Sequence, residues 1–373
     1  MFSRLSAWIT ARSAPAAASG RLLVLAPRET LELARDWLSE LSAALGPVAL
    51  GATDAEHDAA AGDFGADLPA LAMGPAVATI RLPRLNPRAV LVIGAAGDLV
   101  PALAATDAPK LWINAAGEAP AGVQWSGVLA AREGATTAAG AKVIGDPLAG
   151  AVELPDALPE AGDFCERFRE YHEKGHPILL APNTGPGEEA FAFAVLFEVL
   201  RKSAAILLLA PADRERHEPV YRDAIKYSLP IIRHNRFMTS YVPRKNRVYY
   251  IEDPETLHKA YTCAAVTLPG GTLAASETPP DLGLPLACGS AVICGPAGHA
   301  ATADAATRLR LAAEQTGLVA RGETPEEVAQ QVLARLAEGV DRAARRDRLA
   351  QWQQRQAGAR AAVLAATEHA LAT

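Results

Sequence analysis

The sequence predicts an α/β protein built from two doubly wound domains. Short apolar runs alternate with amphipathic segments along most of the 373 residues, a pattern typical of parallel βαβ units. A chain of this length exceeds one ordinary hydrophobic core, so we expect two domains. The best linker lies at 145–159, where proline and glycine punctuate the chain and no apolar periodicity is present.

The linker divides the chain into four predicted parts. These are an N-terminal segment at 1–20, a first Rossmann-like domain at 21–150, a second at 151–340 and a C-terminal helix at 341–373. Helical character in the last part follows from its arginine-, glutamine- and alanine-rich composition. We expect this helix, which starts near Gly339, to break near Gly358 because glycine is a weak helix former.

Apolar runs bounded by turn residues predict the strands of the first domain. These runs lie at 21–26, 47–50, 76–81, 89–94, 110–113 and 142–144. Apolar residues at helical spacing predict helices at 30–44 and 99–105, and the stretch 51–65, rich in alanine, aspartate and glycine, is predicted as a loop.

The second domain repeats the alternation. Strands are predicted at 178–181, 205–209, 230–233, 247–251, 264–268 and 291–294. Helices are predicted at 161–174, 188–201, 215–227, 255–262 and 300–316. A further helix follows, with Thr324 as its N-cap and Pro325 as its first helical residue.

Composition excludes several function classes. The formal net charge of −6 leaves no basic excess to neutralise phosphates, so no nucleic-acid partner is expected. No apolar run reaches the length of about 18 residues that a membrane span requires. The four cysteines, at 165, 263, 288 and 294, form no CxxC pair and are expected to be buried thiols in a reducing compartment.

Three strand-to-turn segments in the second domain predict a ligand-binding edge. Apolar runs end in turns within 177–189, 204–216 and 269–272, and the first two turns lead directly into helices. Unpaired N–H groups at a helix N-terminus favour anions, as does the positive end of the helix dipole. These segments therefore predict a nucleotide or nucleotide-sugar site.

Two Rossmann-like doubly wound domains facing a central cleft make up the GT-B arrangement of glycosyltransferases. The sequence predicts an α/β fold of this GT-B-like kind, with the ligand at the carboxyl ends of the strands. Periplasmic binding proteins share the gross pattern, so the fold alone does not assign a function.

Several segments carry a more specific resemblance, which runs from about residue 82 to 336. The segment at 183–189, Asn-Thr-Gly-Pro-Gly-Glu-Glu, is similar to the motif Ser-Thr-His-Pro-Gly-Glu-Glu. The segment at 210–216, Ala-Pro-Ala-Asp-Arg-Glu-Arg, is similar to the motif Val-Pro-Arg-His-Pro-Glu-Arg. The segment at 252–257, Glu-Asp-Pro-Glu-Thr-Leu, resembles the motif Asp-Thr-Met-Gly-Glu-Leu. The segment at 270–273, Gly-Gly-Thr-Leu, resembles the motif Gly-Gly-Ser-Leu, and the separation between the two motifs is the same. These motifs belong to the transferases that add 3-deoxy-manno-octulosonic acid (Kdo) from CMP-Kdo to lipid A precursors.

Two further segments extend the resemblance to these Kdo transferases. The stretch 281–289 is similar to Asn-Pro-Leu-Glu-Pro-Ala-Ala-Leu-Gly, and 87–103 is similar to a family strand that ends in Glu-x-Glu-Leu-Trp-Pro-Asn-Leu. Several charged family residues are replaced here. The family's turn lysine falls on Leu148, its phosphate-binding arginine on Ala212 and its ribose-binding glutamate on Leu284.

The resemblance implies a set of functional residues. The catalytic candidates are Glu29 and Glu32, which lie near the position of the family's general base, and Asp98. The candidates for nucleotide-sugar binding are Thr184, Gly187, Glu188, Pro211, Arg214, Pro254, Glu255, Thr256, Gly270, Gly271, Thr272, Glu277 and Asp281. No metal and no cofactor is expected.

Some of these residues have a second interpretation. Glu188 and Glu189 either complement a helix dipole or bind a ligand hydroxyl. Gly270 and Gly271 form either a tight turn or a close approach to a phosphate. Residues 276–277 are either a capping pair or a replacement for the ribose carboxylate. The basic residues between 233 and 247 form either a solvated loop or a site for an anionic sugar or lipid phosphate.

The resemblance implies a glycosyltransferase whose partners are a CMP-sugar donor and a glycolipid acceptor related to lipid A. We expect a cytoplasmic protein, peripheral at the inner face of the cytoplasmic membrane through residues 1–12 or the basic loop. The missing cations favour a second hypothesis, a degenerate paralogue that binds a nucleotide, a glycolipid or a partner protein without catalysis. The third hypothesis is a transferase that uses a neutral-sugar nucleotide as its donor.

Overall fold

The computed structural model describes residues 16–150, 152–236, 241–275, 280–297 and 305–373. The chain divides into two units. Unit 1 comprises Met1–Ala151, Ala303–Ala312 and Gln354–Thr373, and unit 2 comprises Val152–Thr302 and Ala313–Gln353. Each unit contains one seven-stranded sheet in which every strand pair is parallel. The predicted α/β class, with two doubly wound Rossmann-like domains, is confirmed.

The sheet of unit 1 has the strand order β3-β2-β1-β4-β5-β6-β7. Its strands are β1 (Leu22–Ala26), β2 (Val48–Ala52), β3 (Ala70–Ala72), β4 (Ala89–Ile93), β5 (Lys110–Ile113), β6 (Gly127–Ala130) and β7 (Lys142–Val143). The helices that follow β1, β3 and β4 are α1 (Arg28–Leu33), α2 (Arg35–Leu45), α3 (Pro75–Leu85) and α4 (Val100–Ala104). All residues of β1, β2 and β4 are buried, as expected of a parallel sheet covered on both faces.

The prediction of a strand at 76–81 is wrong, because these residues lie within α3. Proline at the first helical position starts this helix, and the buried residues Val77, Ala78, Leu82 and Leu85 share one of its faces. The predicted helix at 30–44 is divided into α1 and α2 at Ala34. The short strands β3 and β6 were not predicted.

The sheet of unit 2 has the order β10-β11-β9-β8-β12-β13-β14. Its strands are β8 (Ile178–Thr184), β9 (Ile206–Pro211), β10 (Ile231–Arg233), β11 (Val248–Tyr250), β12 (Val266–Thr267), β13 (Ala291–Cys294) and β14 (Ala320–Arg321). The remaining helices are α5 (Arg169–Glu173), α6 (Glu188–Leu200), α7 (His217–Lys226), α8 (Pro254–Ala260), α9 (Gly283–Ala287), α10 (Ala305–Gln315), α11 (Pro325–Ala337) and α12 (Arg342–Ala372). Thr324 caps α11 as predicted, accepting from the Glu327 N–H at 3.2 Å.

The prediction of a break near Gly358 is wrong, because α12 is continuous over 31 residues. Buried contacts at Leu349, Trp352, Ala359 and Val363 hold the helix on both sides of the glycine. Packing outweighs the weak helix propensity of one residue. None of the helices within the described ranges is both long and apolar enough to cross a membrane.

The expectation of four free thiols is wrong for two of them. Cys165 and Cys263 form a disulfide across a sequence separation of 98 residues, whereas Cys288 and Cys294 are free and buried. Cys165 precedes α5 and Cys263 precedes β12, so the fold brings together two segments that are distant in sequence. Spacing alone carries no information on such a pairing.

Candidate functional site

The carboxyl-terminal edge of the unit 2 sheet gathers the turns that the sequence singled out. Strands β11, β9, β8 and β12 are consecutive neighbours in the sheet. The chain leaves β8 toward β9 on one side and later returns to β12 on the other, so the strand order reverses between β8 and β12. Ligands of doubly wound proteins bind outside the carboxyl ends at such a switch point.

Glu188 joins the two turns at this switch point. Its side chain is fully buried at the start of α6. Its Oε2 accepts from the N–H groups of Gly185 at 2.7 Å and Gly271 at 3.0 Å. Its Oε1 accepts from Leu273 at 2.9 Å and Ala274 at 3.4 Å. Both carboxylate oxygens are therefore occupied by main-chain donors, a role that neither interpretation from the sequence included.

The glycines near Glu188 are explained by the protein backbone. A Cβ atom on Gly270 would lie 2.1 Å from the carbonyl oxygen of Asn183, so only glycine fits between this turn and β8. Gly187 has φ +86° in the turn before α6, a conformation that favours glycine. The Gly271 N–H already donates to Glu188. The tight-turn interpretation of Gly270 and Gly271 therefore accounts for both residues.

A second carboxylate of α6 holds an arginine that the sequence analysis did not select. Arg216 Nη2 donates to both oxygens of Glu189, at 2.8 and 2.9 Å, and Nη1 donates to the Thr184 carbonyl at 2.9 Å. The Thr184 hydroxyl donates to Glu189 at 2.9 Å. The signal for Arg216 was present, because it ends the segment 210–216 of the resemblance.

Thr184 and Thr272 are fully buried, so neither side chain is exposed to solvent. The Thr272 hydroxyl donates to the Pro269 carbonyl at 2.7 Å and accepts from the Gly295 N–H at 3.3 Å. Both predicted binding residues therefore lie in the protein interior, and both hydroxyls are hydrogen-bonded to other protein groups.

The turn after β9 carries an unpaired cation. Pro211 is the last residue of the strand, Ala212 is exposed, and the Asp213 carboxylate caps the following turn by accepting from the Glu215 N–H at 2.8 Å. Arg214 is exposed, and its guanidinium forms no hydrogen bond or ion pair with any described residue. Among the predicted binding residues, Arg214 is therefore the one with a cation available to an anionic ligand.

The start of α8 is capped internally. Pro254 is its first residue, and the Asp253 carboxylate accepts from the Thr256 N–H at 2.8 Å. The Thr256 hydroxyl lies 3.1 Å from His234 Nε2, and His234 Nδ1 lies 2.7 Å from the Tyr249 hydroxyl. Burial lowers the pKa of His234. Glu255 is largely exposed and pairs with Lys259.

The basic segment near β10 is partly neutralised. Arg233 donates to Glu252 at 2.7 Å and to Glu218 at 2.8 Å, and its guanidinium lies over the Tyr221 ring. Arg247 donates to the carbonyls of Arg244 and Asn246. Residues 237–240 lie outside the described residues. The charge of Arg233 is thus balanced by two carboxylates.

Two predicted binding residues remain in unit 2. Glu277 lies outside the described residues. Asp281 is exposed, and its carboxylate accepts from the Leu284 N–H at 3.2 Å at the beginning of α9. The side chain of Asp281 therefore contributes to capping this short helix.

The three catalytic candidates lie in unit 1 beyond the carboxyl ends of β1 and β4, which are adjacent parallel strands. Glu29 is exposed in the first turn of α1 and forms no ion pair with a described residue. Glu32 pairs with Arg28 at 2.8 Å. Asp98 is exposed in a short turn of 3₁₀ helix. Neighbouring strands thus bring Glu29 and Asp98 to the same edge of the sheet.

A buried polar group at this edge was not predicted. Asp146 accepts from Asn114 Nδ2 at 2.7 Å, from the Leu148 N–H at 2.9 Å and from Arg308 Nε at 2.9 Å. Leu148 packs in the apolar core of unit 1 with 5% of its surface exposed. The position of the family's lysine is therefore an internal apolar residue, and the nearby guanidinium of Arg308 is paired with Asp146.

No protein-family model matches the chain, and no curated protein matches it. Among solved structures, the C-terminal CMP-Kdo binding domain of WaaA from Acinetobacter baumannii is 16% identical with a TM-score of 0.42, covering 51% of this chain and 97% of that one. MurG from the same organism is 14% identical with a TM-score of 0.43, covering 92% and 98%. A glycosyltransferase from Rickettsia africae ESF-5 is 12% identical with a TM-score of 0.36, covering 94% and 97%.

Likenesses this distant carry no information about function. The strand orders and the parallel pairing define the fold class, an α/β protein of two doubly wound units. Two Rossmann-like units, each with seven parallel strands, are consistent with a GT-B fold.

Proposed function

We propose that the chain is a glycosyltransferase that moves an acidic sugar from a CMP-linked donor to a lipid A-like acceptor. The observation that supports this most directly is the junction formed by Glu188. It ties the segment 183–189 to the segment 270–273 through main-chain hydrogen bonds at the switch point of the unit 2 sheet. The two most similar segments of the resemblance thus build one structure, where doubly wound proteins bind nucleotides.

In this proposal unit 2 binds the donor. The turns after β8 and β12 are held rigidly, because the N–H groups of Gly185 and Gly271 both donate to the Glu188 carboxylate and Gly270 packs against the Asn183 carbonyl. The unpaired guanidinium of Arg214 supplies the positive charge for the departing nucleotide phosphate. The Glu189–Arg216 pair fixes the adjoining turn, since Arg216 also binds the Thr184 carbonyl.

Unit 1 supplies the general base in the same proposal. Glu29 is the first candidate because it is exposed and forms no ion pair within the described part of the chain, and Asp98 is the second. The base removes the proton of the acceptor hydroxyl while that oxygen attacks the anomeric carbon and the bond to CMP breaks. Glu32 is a weaker candidate, because its carboxylate is paired with Arg28.

A second function is favoured by a specific observation. Leu148 lies in the core and Ala212 has a methyl side chain, so two family cations have no counterpart at these positions. Loss of one positioned donor typically costs about 2.7–4 kcal/mol of activation free energy. A protein that binds the nucleotide or glycolipid without turnover is therefore the alternative.

Titration calorimetry with CMP and UDP, followed by a transfer assay with CMP-Kdo and a lipid A precursor, tests the proposal. We expect CMP to bind, and Arg214→Ala to weaken that binding by about tenfold or more because a charge-assisted hydrogen bond is lost. Arg201→Ala is the matched control, since Arg201 is exposed at the opposite end of α6.

The outcomes separate the hypotheses. CMP binding with transfer supports the transferase, and CMP binding without transfer selects the binding protein. Binding of UDP in place of CMP indicates a different donor. Absence of binding to either nucleotide contradicts the proposed donor site, as does an equal effect of the two arginine substitutions.

A further inference from the structure

Unit 2 has a second pocket, at the edge of its sheet opposite to the proposed donor site. The pocket has a volume of about 340 Å³ and lies beside the amino ends of β8, β9 and β12. This volume is at the lower end of the range for small-molecule sites. The residues that matter for its chemistry are His172, His176, Ser203, Arg342, Leu336 and Val340.

The polar side of the pocket is fixed and positively charged. Arg342 donates to the carbonyls of Ala264 at 2.7 Å and Cys288 at 2.9 Å, which holds its guanidinium in place. The Nδ1 atom of His176 is buried and has no hydrogen-bond partner among the described residues. Nδ1 can carry the ring proton of a neutral imidazole and donate it to a ligand oxygen in the pocket.

Most of the charged groups near His172 and His176 are positive. Burial lowers the pKa of His172, and Arg342 lowers it further, against the opposing effect of Glu166. Burial also lowers the pKa of His176, together with Arg244, Arg247 and Lys174. These cations lie close enough to the two histidines to attract an anion.

The pocket also has an apolar lining. Leu333 and Leu336 from the last turns of α11 line it, together with Ile178 at the start of β8. Val340, between α11 and α12, contributes its side chain at the rim and is half exposed, at 50%. The pocket thus combines cationic and apolar lining residues, the composition expected for a site that binds an amphipathic ligand.

We propose that this pocket binds a small amphipathic anion, with a carboxylate or phosphate ester facing Arg342 and His176 and an apolar group on Leu333, Leu336 and Val340. The chemistry is that of a short acyl carboxylate, whether free in solution or at the end of a lipid. The concave shape and modest volume favour the free molecule. The site is separate from the CMP-sugar site, so the two proposals stand independently.

Calorimetry of the full chain with sodium octanoate tests the proposal, with octanol as the neutral control and phosphatidylglycerol vesicles as the lipid-bound source. We expect octanoate to bind with one molecule per chain and octanol to bind at least about tenfold more weakly. Binding to the vesicles without binding to octanoate would overturn the assignment to a free anion. Equal affinity for octanoate and octanol would overturn the cationic recognition.

Substitutions at the rim provide the sharper test. Val340→Asp should weaken octanoate binding by about tenfold, and Val340→Lys should preserve or strengthen it, because only the sign of the new charge differs. Ile225→Asp is the matched control, since Ile225 is also 50% exposed and lies on α7. Equal losses in the two Val340 variants, or a similar loss in Ile225→Asp, would contradict the proposal. Calorimetry with CMP on the same variants distinguishes failure here from failure of the donor site.

Discussion

At the scale of single residues, buried charges at the switch point have structural partners. Glu188 is fully buried yet bonded to four main-chain N–H groups, and Glu189 is paired with Arg216. A buried carboxylate without such partners would be strongly unfavourable. Glu188 and Glu189 at the start of α6 are thus stabilised mainly by their contacts with the neighbouring turns. The interaction with the dipole of α6 is a smaller contribution to their stability.

Glu188→Gln should destabilise the protein by about 2–3 kcal/mol, because an amide N–H₂ would face main-chain N–H groups that then lack an acceptor. Urea unfolding measures the loss. Glu255→Gln is the control, since Glu255 is exposed and its pair with Lys259 should contribute at most about 1 kcal/mol. Equal effects of the two substitutions would show that the Glu188 junction is not a major source of stability.

Glu29→Gln should lower the rate of sugar transfer about 10²- to 10⁴-fold while CMP affinity stays unchanged, since a general base acts only in the chemical step. Steady-state kinetics with the lipid A precursor and CMP calorimetry measure the two quantities. Glu32→Gln is the comparison, because Glu32 is paired with Arg28. If Glu29→Gln left the transfer rate unchanged and Asp98→Asn lowered it, the general base would be Asp98 and not Glu29.

Asp58 gives unit 1 a pH-dependent contribution to stability. Burial raises the pKa of Asp58, but hydrogen bonds from the fully buried Arg81 and the Ala72 N–H bring it below the ordinary value of 3.8. A depressed folded-state pKa stabilises the protein above the unfolded pKa, and this contribution is lost as the pH falls through the folded-state pKa.

The urea midpoint of the parent protein should therefore decline more steeply below pH 3.8 than that of Asp58→Asn. Urea titrations of both proteins between about pH 5 and pH 2 measure the difference. Parallel declines would show that the Asp58–Arg81 pair has no part in the acid response.

At the scale of elements, packing and capping decided where the helices and strands begin and end. Proline at the first position of α3 converts an apolar run into a helix, and buried contacts carry α12 through Gly358. Local periodicity predicted strands such as β5 and β13 at their observed bounds, because both are short apolar runs between clear turn signals. Short strands such as β3 and β14 depend on their neighbours in the sheet and carry little local signal.

Gly358→Ala should stabilise α12 by about 0.5–1 kcal/mol, because alanine loses less backbone entropy in a helix. A Cβ atom at this exposed position would have no neighbour within 4 Å. Thermal and urea unfolding measure the gain. Gly270→Ala is the contrasting variant and should be strongly destabilised, since its Cβ would meet the Asn183 carbonyl at 2.1 Å. A destabilised Gly358→Ala variant would contradict a continuous helix.

At the scale of the whole molecule, the Cys165–Cys263 disulfide links chain segments 98 residues apart. In the chain-entropy model, closing a loop of this length restricts the unfolded state and stabilises the fold by up to about 4–5 kcal/mol. The disulfide lies entirely within unit 2, so its effect should be confined to the unfolding of that unit.

Replacing both cysteines, Cys165→Ser with Cys263→Ser, should lower the stability of unit 2, and dithiothreitol should have a similar effect on the parent protein. Urea unfolding with and without reductant measures both effects. The double variant serves as its own control, because reductant should leave it unchanged. A parent protein indifferent to reductant, with a thiol assay showing four free cysteines, would contradict the disulfide.

The sequence by itself determined the α/β class, the existence of two doubly wound halves and the position of most central strands, because these follow from apolar runs and turn residues that act locally. It also singled out the turns at 183–189 and 270–273. Only the tertiary structure decided that Glu188 joins those turns, that Leu148 is internal, that Arg233 is neutralised and that Cys165 is bonded to Cys263. Each of these facts is a contact or a burial that forms only when residues far apart in sequence meet, so no local pattern encodes it.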